Sequence, residues 1–257
     1  MHHAHIDKFA YQDSPVHRLD ARAKFFVTIA FTVVILLLPK TSISLLACYA
    51  IGPFAVLTIG RVPLKFAIRQ VILVSPFILV LAITFPFYLH EPTDIAFGPF
   101  TGKISLGWIR CFNVIGKFIV TMLALIAMVS TTRFGDLLAA MQKMHVPQLL
   151  TIQLGFLYRY IFVLIDRAGQ ILRARAGRKL RNLGFKTEIK TASAMLGSLF
   201  VRSIDTAEQI DIAMQSRGFD GHWRCVSRLK FHKADFLFML ISAAFLLLLY
   251  FYIGRIL

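Results

Sequence analysis

Five apolar runs punctuate the chain, at residues 25–39, 43–59, 71–89, 108–129 and 236–253. A helix needs about 20 predominantly apolar residues (range ~17–25) to cross the hydrocarbon core of a bilayer. Only helices and closed barrels satisfy their backbone polar groups there, and unbroken apolar runs, without strand-like alternation, select the helix. Pro76 and Pro86 fall within the third run, where neighbouring groups can take up the carbonyls they free. Lys117 interrupts the fourth, either snorkelling to an interface or facing protein. The expected fold class is all-α: a polytopic membrane helix bundle of about five spans.

Charge then separates the connections. The chain carries 29 Lys and Arg against 13 Asp and Glu, a formal net charge of +16, although 57% of its residues are hydrophobic. Its mean hydropathy is +0.69. Basic residues gather before the first run (Arg18, Arg22, Lys24) and between the second and third (Arg61, Lys65, Arg69). The connection after the third run has Glu91 and Asp94 against Lys103. Residues 133–233 carry 17 basic residues and seven acids. The positive-inside rule makes the short basic loops cytoplasmic, and an even number of preceding spans puts the long insertion on the same side. The expected organisation is a cytoplasmic N-terminal segment (1–24), transmembrane helices 1–4 (25–130), interfacial and cytoplasmic coupling helices (131–234) and a last transmembrane helix (235–257). The expected location is the cell (inner, cytoplasmic) membrane, with N-terminus and insertion cytoplasmic. No cleaved leader is expected, since the first apolar run lacks a small-residue cleavage pattern.

The insertion reads as amphipathic helix. Thr131 or Thr132 is placed to cap a helix over FGDLLAAMQKM, and Pro147 to begin the next. That helix, PQLLTIQLGFLYRYIFVLI, is apolar enough to lie in the interface or to span partway. A full crossing would invert everything beyond it, which favours an interfacial or bundle-packed helix with Tyr158 and Tyr160 near the headgroups. A turn at Gly184 leads to a helix from Thr187 to Gly218, a C′ glycine. Its stripe of Ala194, Met195, Phe200, Val201, Ile204, Ala207, Ile210, Ala213 and Met214 is expected to pack on a neighbouring helix.

Several chemistries are excluded. Gly98 and Gly102 before Lys103 leave three residues where a phosphate-binding loop needs four, with Ile104 where it needs Ser or Thr. HExxH, GxSxG and paired intramembrane carboxylates do not occur. Cys48, Cys111 and Cys225 form no CxxC pair; the first two are expected to pack as small hydrophobes. His3 stands where a terminal copper- or nickel-binding geometry is possible, but a frayed terminus or added remnant is the plainer reading, and the remaining histidines lack ligand spacing. No catalytic residue, metal site or cofactor is assigned. Two short strings remain, Ala174-Arg175-Ala176 and Ser216-Arg217-Gly218. Each sets an arginine between small residues near a helix end, fit to enter a partner's groove and pair with carboxylates. On spacing alone the plainer reading of each is an ordinary C-terminal arginine favoured by the helix dipole.

At these strings the chain resembles the transmembrane T component of energy-coupling factor (ECF) transporters, most closely the CbiQ type that serves cobalt uptake. The opening HIDKFAYQDSPVHRLDARAKF is similar to that type's start, with Ala21 where proline is usual. The block TTRFGDLLAAMQKMHVPQLLTIQLGFLYRYIFVLIDRAGQILRARAGR and the ending AMQSRGF extend the likeness over nearly the whole chain. The resemblance implies a non-catalytic scaffold whose two small-Arg-small motifs dock into two cytoplasmic ATP-binding cassette ATPase subunits. Arg175 and Arg217 would be the docking arginines, with Arg173 adjacent to the first. A separate substrate-binding membrane subunit, the S component, would hold the cargo, cobalt or alternatively nickel or a vitamin. The other classes to weigh are a self-sufficient carrier, a membrane-embedded enzyme, and a lipid- or nucleic-acid-binding basic module; nucleic acid is not expected as a partner.

Overall fold

The structure is a computed structural model that describes residues 9–39, 43–88, 92–97, 100–178, 184–221 and 231–254. The chain divides into two units. The larger covers His5–Ala140 and Arg228–Leu257, the smaller Met1–Ala4 and Met141–Ser227. The fold is an all-α polytopic membrane bundle with one antiparallel hairpin among the described residues.

The larger unit holds α1 (Ala21–Leu37), α2 (Ile43–Ile59), α3 (Leu64–Tyr88), α4 (Leu106–Ser130), most of α5 (Phe134–Lys143) and α8 (Lys233–Gly254). α1 begins ahead of the apolar run because the Asp20 side chain accepts from the Arg22 amide at 2.9 Å, capping the first turn. α3 likewise starts before its run, through amides of Phe66 and Ala67 that return to the Pro63 carbonyl. Pro53, Pro76 and Pro86 lie inside helices. Proline at 76 removes the donor that would meet the Ile72 carbonyl, and the Ser75 hydroxyl donates to that oxygen at 2.9 Å instead. The connection after α3, read from sequence as a loop, forms the hairpin of β1 (Pro92–Phe97) and β2 (Phe100–Ser105), paired from Pro92–Ser105 to Phe97–Phe100. Lys103 and Ile104 sit on its second strand, not at a helix N-terminus.

Two apolar clusters hold this unit together. Phe31 and Ile35 of α1, Leu46 and Tyr49 of α2 and Val120 and Ala124 of α4 form the first, closed by Phe245 of α8. Leu57, Ala67, Ile126 and Ala127 form the second, between α2, α3 and α4. Close approach depends on Gly116, where a Cβ would lie 3.0 Å from Leu46 Cδ1. Outward faces are apolar too: Ile72, Leu73, Phe77 and Val80 of α3 are exposed, as suits a surface solvated by lipid. Cys111 is buried as expected, whereas Cys48 faces outward.

A polar knot closes one end of this unit. The Asp20 amide donates to Asp235 Oδ1 at 2.7 Å and the His232 amide to Asp235 Oδ2 at 2.7 Å, with Asp235 1% exposed. Lys24 Nζ, also buried, donates to the Thr131 carbonyl at 2.8 Å. Gly60 meets the same threonine, since a Cβ there would lie 3.1 Å from Thr131 Cγ2. The start of α1, the ends of α2 and α4 and the start of α8 therefore share one end. Residues 9–20 pack there too: His17 bridges Ser14 Oγ (2.7 Å) and the Phe9 carbonyl (2.9 Å), and Arg133 stacks over Tyr11. At the other end of α1, Lys117 Nζ donates to the carbonyls of Leu38 (2.7 Å) and Leu36 (3.3 Å). It faces protein and satisfies carbonyls left open by the helix terminus. The threonines do not cap α5. Thr131 bonds back to the Ala127 carbonyl of α4, Thr132 Oγ1 is buried without a partner among the described residues, and the first amides of α5 return to Arg133.

Candidate functional site

The smaller unit is built on α6 (Gln148–Arg178) and α7 (Phe185–Gln215), each 31 residues, or about 46 Å of helix at 1.5 Å per residue. α6 opens on Pro147, whose carbonyl receives the amides of Leu150 and Thr151. Its first half is apolar and aromatic. Phe156 stacks on Tyr160, Tyr158 meets Phe162 edge-on, and Arg159 lies over Tyr160. Its second half, from Asp166, is polar and basic. α7 is capped at Gly184 and starts two residues ahead of the expected Thr187.

The two helices run antiparallel and are joined by few bonds. Arg167 of α6 donates to Thr206 Oγ1 and, at 3.4 Å, to the Arg202 carbonyl of α7. Arg175, in the last turn of α6, pairs with Glu188 in the first turn of α7. Each charge complements the dipole of its own helix end. Both side chains are about a quarter exposed (25% and 27%), so this is a surface pair worth about 0–1 kcal/mol, which a competing carboxylate could replace. Ala174 and Ala176, on either side of Arg175, are exposed and present no bulk. Arg173 instead folds back along α6, its Nη1 3.3 Å from where a Cβ on Gly169 would stand.

The second string lies at the far end of α7. The amide of Gly218 returns to the Gln215 carbonyl and that of Phe219 to Met214, with Gly218 at φ 77°. This is a Schellman closure, and its left-handed position is the reason for glycine at 218. Ser216 is tied down by its own hydroxyl bond to the Ile212 carbonyl at 2.8 Å. Arg217 is thereby held on a rigid helix end, exposed and without a side-chain partner among the described residues. The structure does not bring the two arginines together. Arg175 is beside Glu188, and the 29 residues of helix from there to Arg217 measure about 43 Å.

The expected stripe of α7 is packed on one side only. Met195, Ile210 and Met214 are half-buried toward α6, but Phe200 (66% exposed), Val201 and Ile204 stand uncovered, and α7 has no buried residue. Periodicity identified the apolar positions without indicating which of them stand exposed. Sequence reasoning also missed the arginine-lined groove between the helices, to which Arg167, Arg175, Arg178 and Arg202 contribute. Their spacing along two antiparallel helices would reveal it only once the register was known. No group of three or more His, Cys, Asp or Glu is arranged to hold a metal ion among the described residues. His3 and Cys225 lie outside the described residues.

Comparison with known proteins gives the family of the chain. A family model described as "Cobalt transport protein", CbiQ, matches residues 12–227. The energy-coupling factor transporter transmembrane protein EcfT of Bacillus subtilis is 25% identical over 230 residues, covering 84% of each chain. The cobalt transport protein CbiQ of Salmonella typhimurium is 24% identical over 224 residues, 84% of this chain and 97% of that protein. The Methanocaldococcus jannaschii protein MJ1571 is 30% identical over 112 residues, 44% of this chain and 38% of its own length.

Proposed function

The chain belongs to the CbiQ cobalt transport protein family, a multi-pass membrane transport family, and from that membership we propose that it is the coupling subunit of an ECF-type importer. It takes up the motion of two cytoplasmic ATP-binding cassette ATPases and passes it to a membrane subunit that binds the cargo. Cobalt is the cargo we propose, after the family's description. The chain itself is non-catalytic, and ATP is hydrolysed in the partners. Ala174, Arg175 and Ala176 dock one ATPase; Ser216, Arg217 and Gly218 dock the other.

The observation that carries this reading is the pair of arginines set at opposite ends of one two-helix unit. One is held by an exchangeable surface pair and the other, on the closed end of α7, has no side-chain partner among the described residues. Two separate contact points suit two separate ATPases. Fork-shaped guanidiniums suit acidic grooves through bidentate, charge-assisted bonds. The net positive charge of the insertion would steer association with acidic rims.

Topology supports a cytoplasmic position for these helices. The chain leaves α4 and enters α8 at the same end of the bundle, so α5–α7 cross the membrane an even number of times. By length and composition α6 qualifies as a span, along with α3 and α4. α7 does not, because its longest uncharged stretch, 191–201, is 11 residues, and about 20 are needed. With no returning crossing available, α6 lies in the interface. The shared end carries Arg18, Arg22 and Lys24 and the basic α2–α3 connection, which makes it the cytoplasmic side. The spans are then α1–α4 and α8, within the 25–130 and 235–257 regions. Residues 1–24 and 131–234 are the cytoplasmic N-terminal segment and coupling region. Phe200, Val201 and Ile204, exposed on α7, offer an apolar surface suited to a membrane subunit such as the cargo-binding one.

Charge reversal at both positions, R175E/R217E, tests docking. It is expected to abolish co-purification of the ATPases from detergent while the chain remains inserted in the membrane. Co-purification at wild-type yield would refute the docking assignment.

A further inference from the structure

We propose that the groove between α6 and α7 seats the phosphate headgroup of an anionic phospholipid, with an acyl chain laid in the apolar cleft that continues it. The groove has a volume of 1080 Å³, ample for a glycerophosphate headgroup. Its basic lining comprises Arg167, Arg175, Arg178 and Arg202, while Asp205 is the one carboxylate among its lining residues. Arg175 is taken up by Glu188, and Arg167 spends one nitrogen on Thr206 and the Arg202 carbonyl. The guanidiniums of Arg178 and Arg202 make no bond among the described residues, and each offers five N–H donors. Phosphate oxygens would satisfy such a set bidentately.

The adjoining cleft is what selects a lipid over a free anion. It has a volume of 360 Å³ and is lined mainly by apolar side chains, among them Phe156, Leu164, Ile210 and Met214, with Ser203 and Asp211 also in its lining. Arg167 and Thr206 border both spaces, so the basic groove and the apolar cleft adjoin one another. One end polar and cationic, the other apolar, is the pattern of an amphiphile with an anionic head. A soluble phosphate would leave the cleft unfilled. Basic pockets between helices on the cytoplasmic side of a membrane are suited to anionic headgroups, and the leaflet supplies them at high local concentration. The groove lies at headgroup level if α6 is interfacial, so the proposal rests on that part of the functional reading. Its consequence is mechanical. A lipid seated between two sparsely bonded helices sets their separation, and thereby the spacing of the two helix ends that carry Arg175 and Arg217.

The test uses the full-length chain, delipidated in detergent and titrated with phosphatidylglycerol or with phosphatidylcholine of identical acyl chains. Bound lipid is counted by native mass spectrometry, and glycerol 3-phosphate serves as soluble competitor. Phosphatidylglycerol should be retained preferentially. R178Q/R202Q should lose that retention about thirtyfold, the effect of removing two cations near an anionic surface, whereas R178K/R202K should keep most of it. Equal retention of both lipids by the wild type, or wild-type retention by R178Q/R202Q, overturns the proposal. Displacement of the lipid by equimolar glycerol 3-phosphate also overturns it, by making the groove a soluble-anion site. ATPase co-purification from the same preparations reports docking separately from the lipid count, so the failure of one proposal is not mistaken for failure of the other.

Discussion

The two units contrast in where their side chains find partners. In the larger, α1, α2, α4 and α8 cover one another's apolar faces, and a buried carboxylate joins residues 215 positions apart. In the smaller, two 31-residue helices bury little: Thr151 and Phe162 of α6 and nothing of α7. A helix this exposed and this apolar gains little of its stability from its own chain, because most helical stability in proteins comes from packing of an apolar face. The first unit is completed by itself and by lipid. The second leaves most of its apolar side chains exposed, and low local stability is expected of elements with so few buried contacts.

Substitutions should therefore separate the units sharply. The largest effect on stability is expected from Asp235→Ala, which strips the buried amide of Asp20 and the part-buried amide of His232 of their acceptor. At about 1–3 kcal/mol for a buried unsatisfied group, the loss should be about 1–3 kcal/mol from the Asp20 amide alone, read as a lowered midpoint of thermal unfolding in detergent. An unchanged midpoint would remove the knot as the element that makes the larger unit self-sufficient. A smaller effect is expected from Gly218→Ala, because φ 77° disfavours any side chain. The cost should be about 1 kcal/mol, confined to the last turn of α7, with faster amide exchange at 214–219 and weakened ATPase co-purification. The smallest effect on stability should come from Phe200→Ser with Ile204→Ser. Both side chains are exposed, so the midpoint of the isolated chain should move by no more than about 0.5 kcal/mol. Recovery of the cargo-binding membrane subunit should nevertheless fall steeply. A large loss of stability in the isolated chain would show that this face is covered internally and would undo the contrast.

Much of the architecture is legible along the chain. The α2 boundaries coincide with the apolar run at 43–59, because a long apolar stretch bounded by polar residues has one low-energy state in a bilayer. Gly184 and Gly218 mark the ends of α7 for local reasons of backbone conformation and capping. Where the reading went astray, a distant residue decided. Thr131 was a plausible cap for α5, but its hydroxyl serves α4 and its carbonyl takes Lys24. Lys117 had two destinations, and the open carbonyls of α1 fixed the one facing protein. The α7 stripe was expected to be covered, yet an apolar periodicity is the same whether its cover is in the chain or in a partner.

Hydropathy, charge and two short strings thus determined by themselves that this is a multi-span helical membrane protein with a basic helical insertion and two arginines flanked by small residues. These are properties of a residue and its near neighbours, and lipid imposes them directly. The tertiary structure decided which ends meet, that Arg175 is held by Glu188 while Arg217 is left open, and that four arginines line one groove. Each of these depends on the register between elements far apart in the sequence. That register follows from side-chain fit, such as Leu46 against Gly116, and one chain's hydropathy pattern does not encode it.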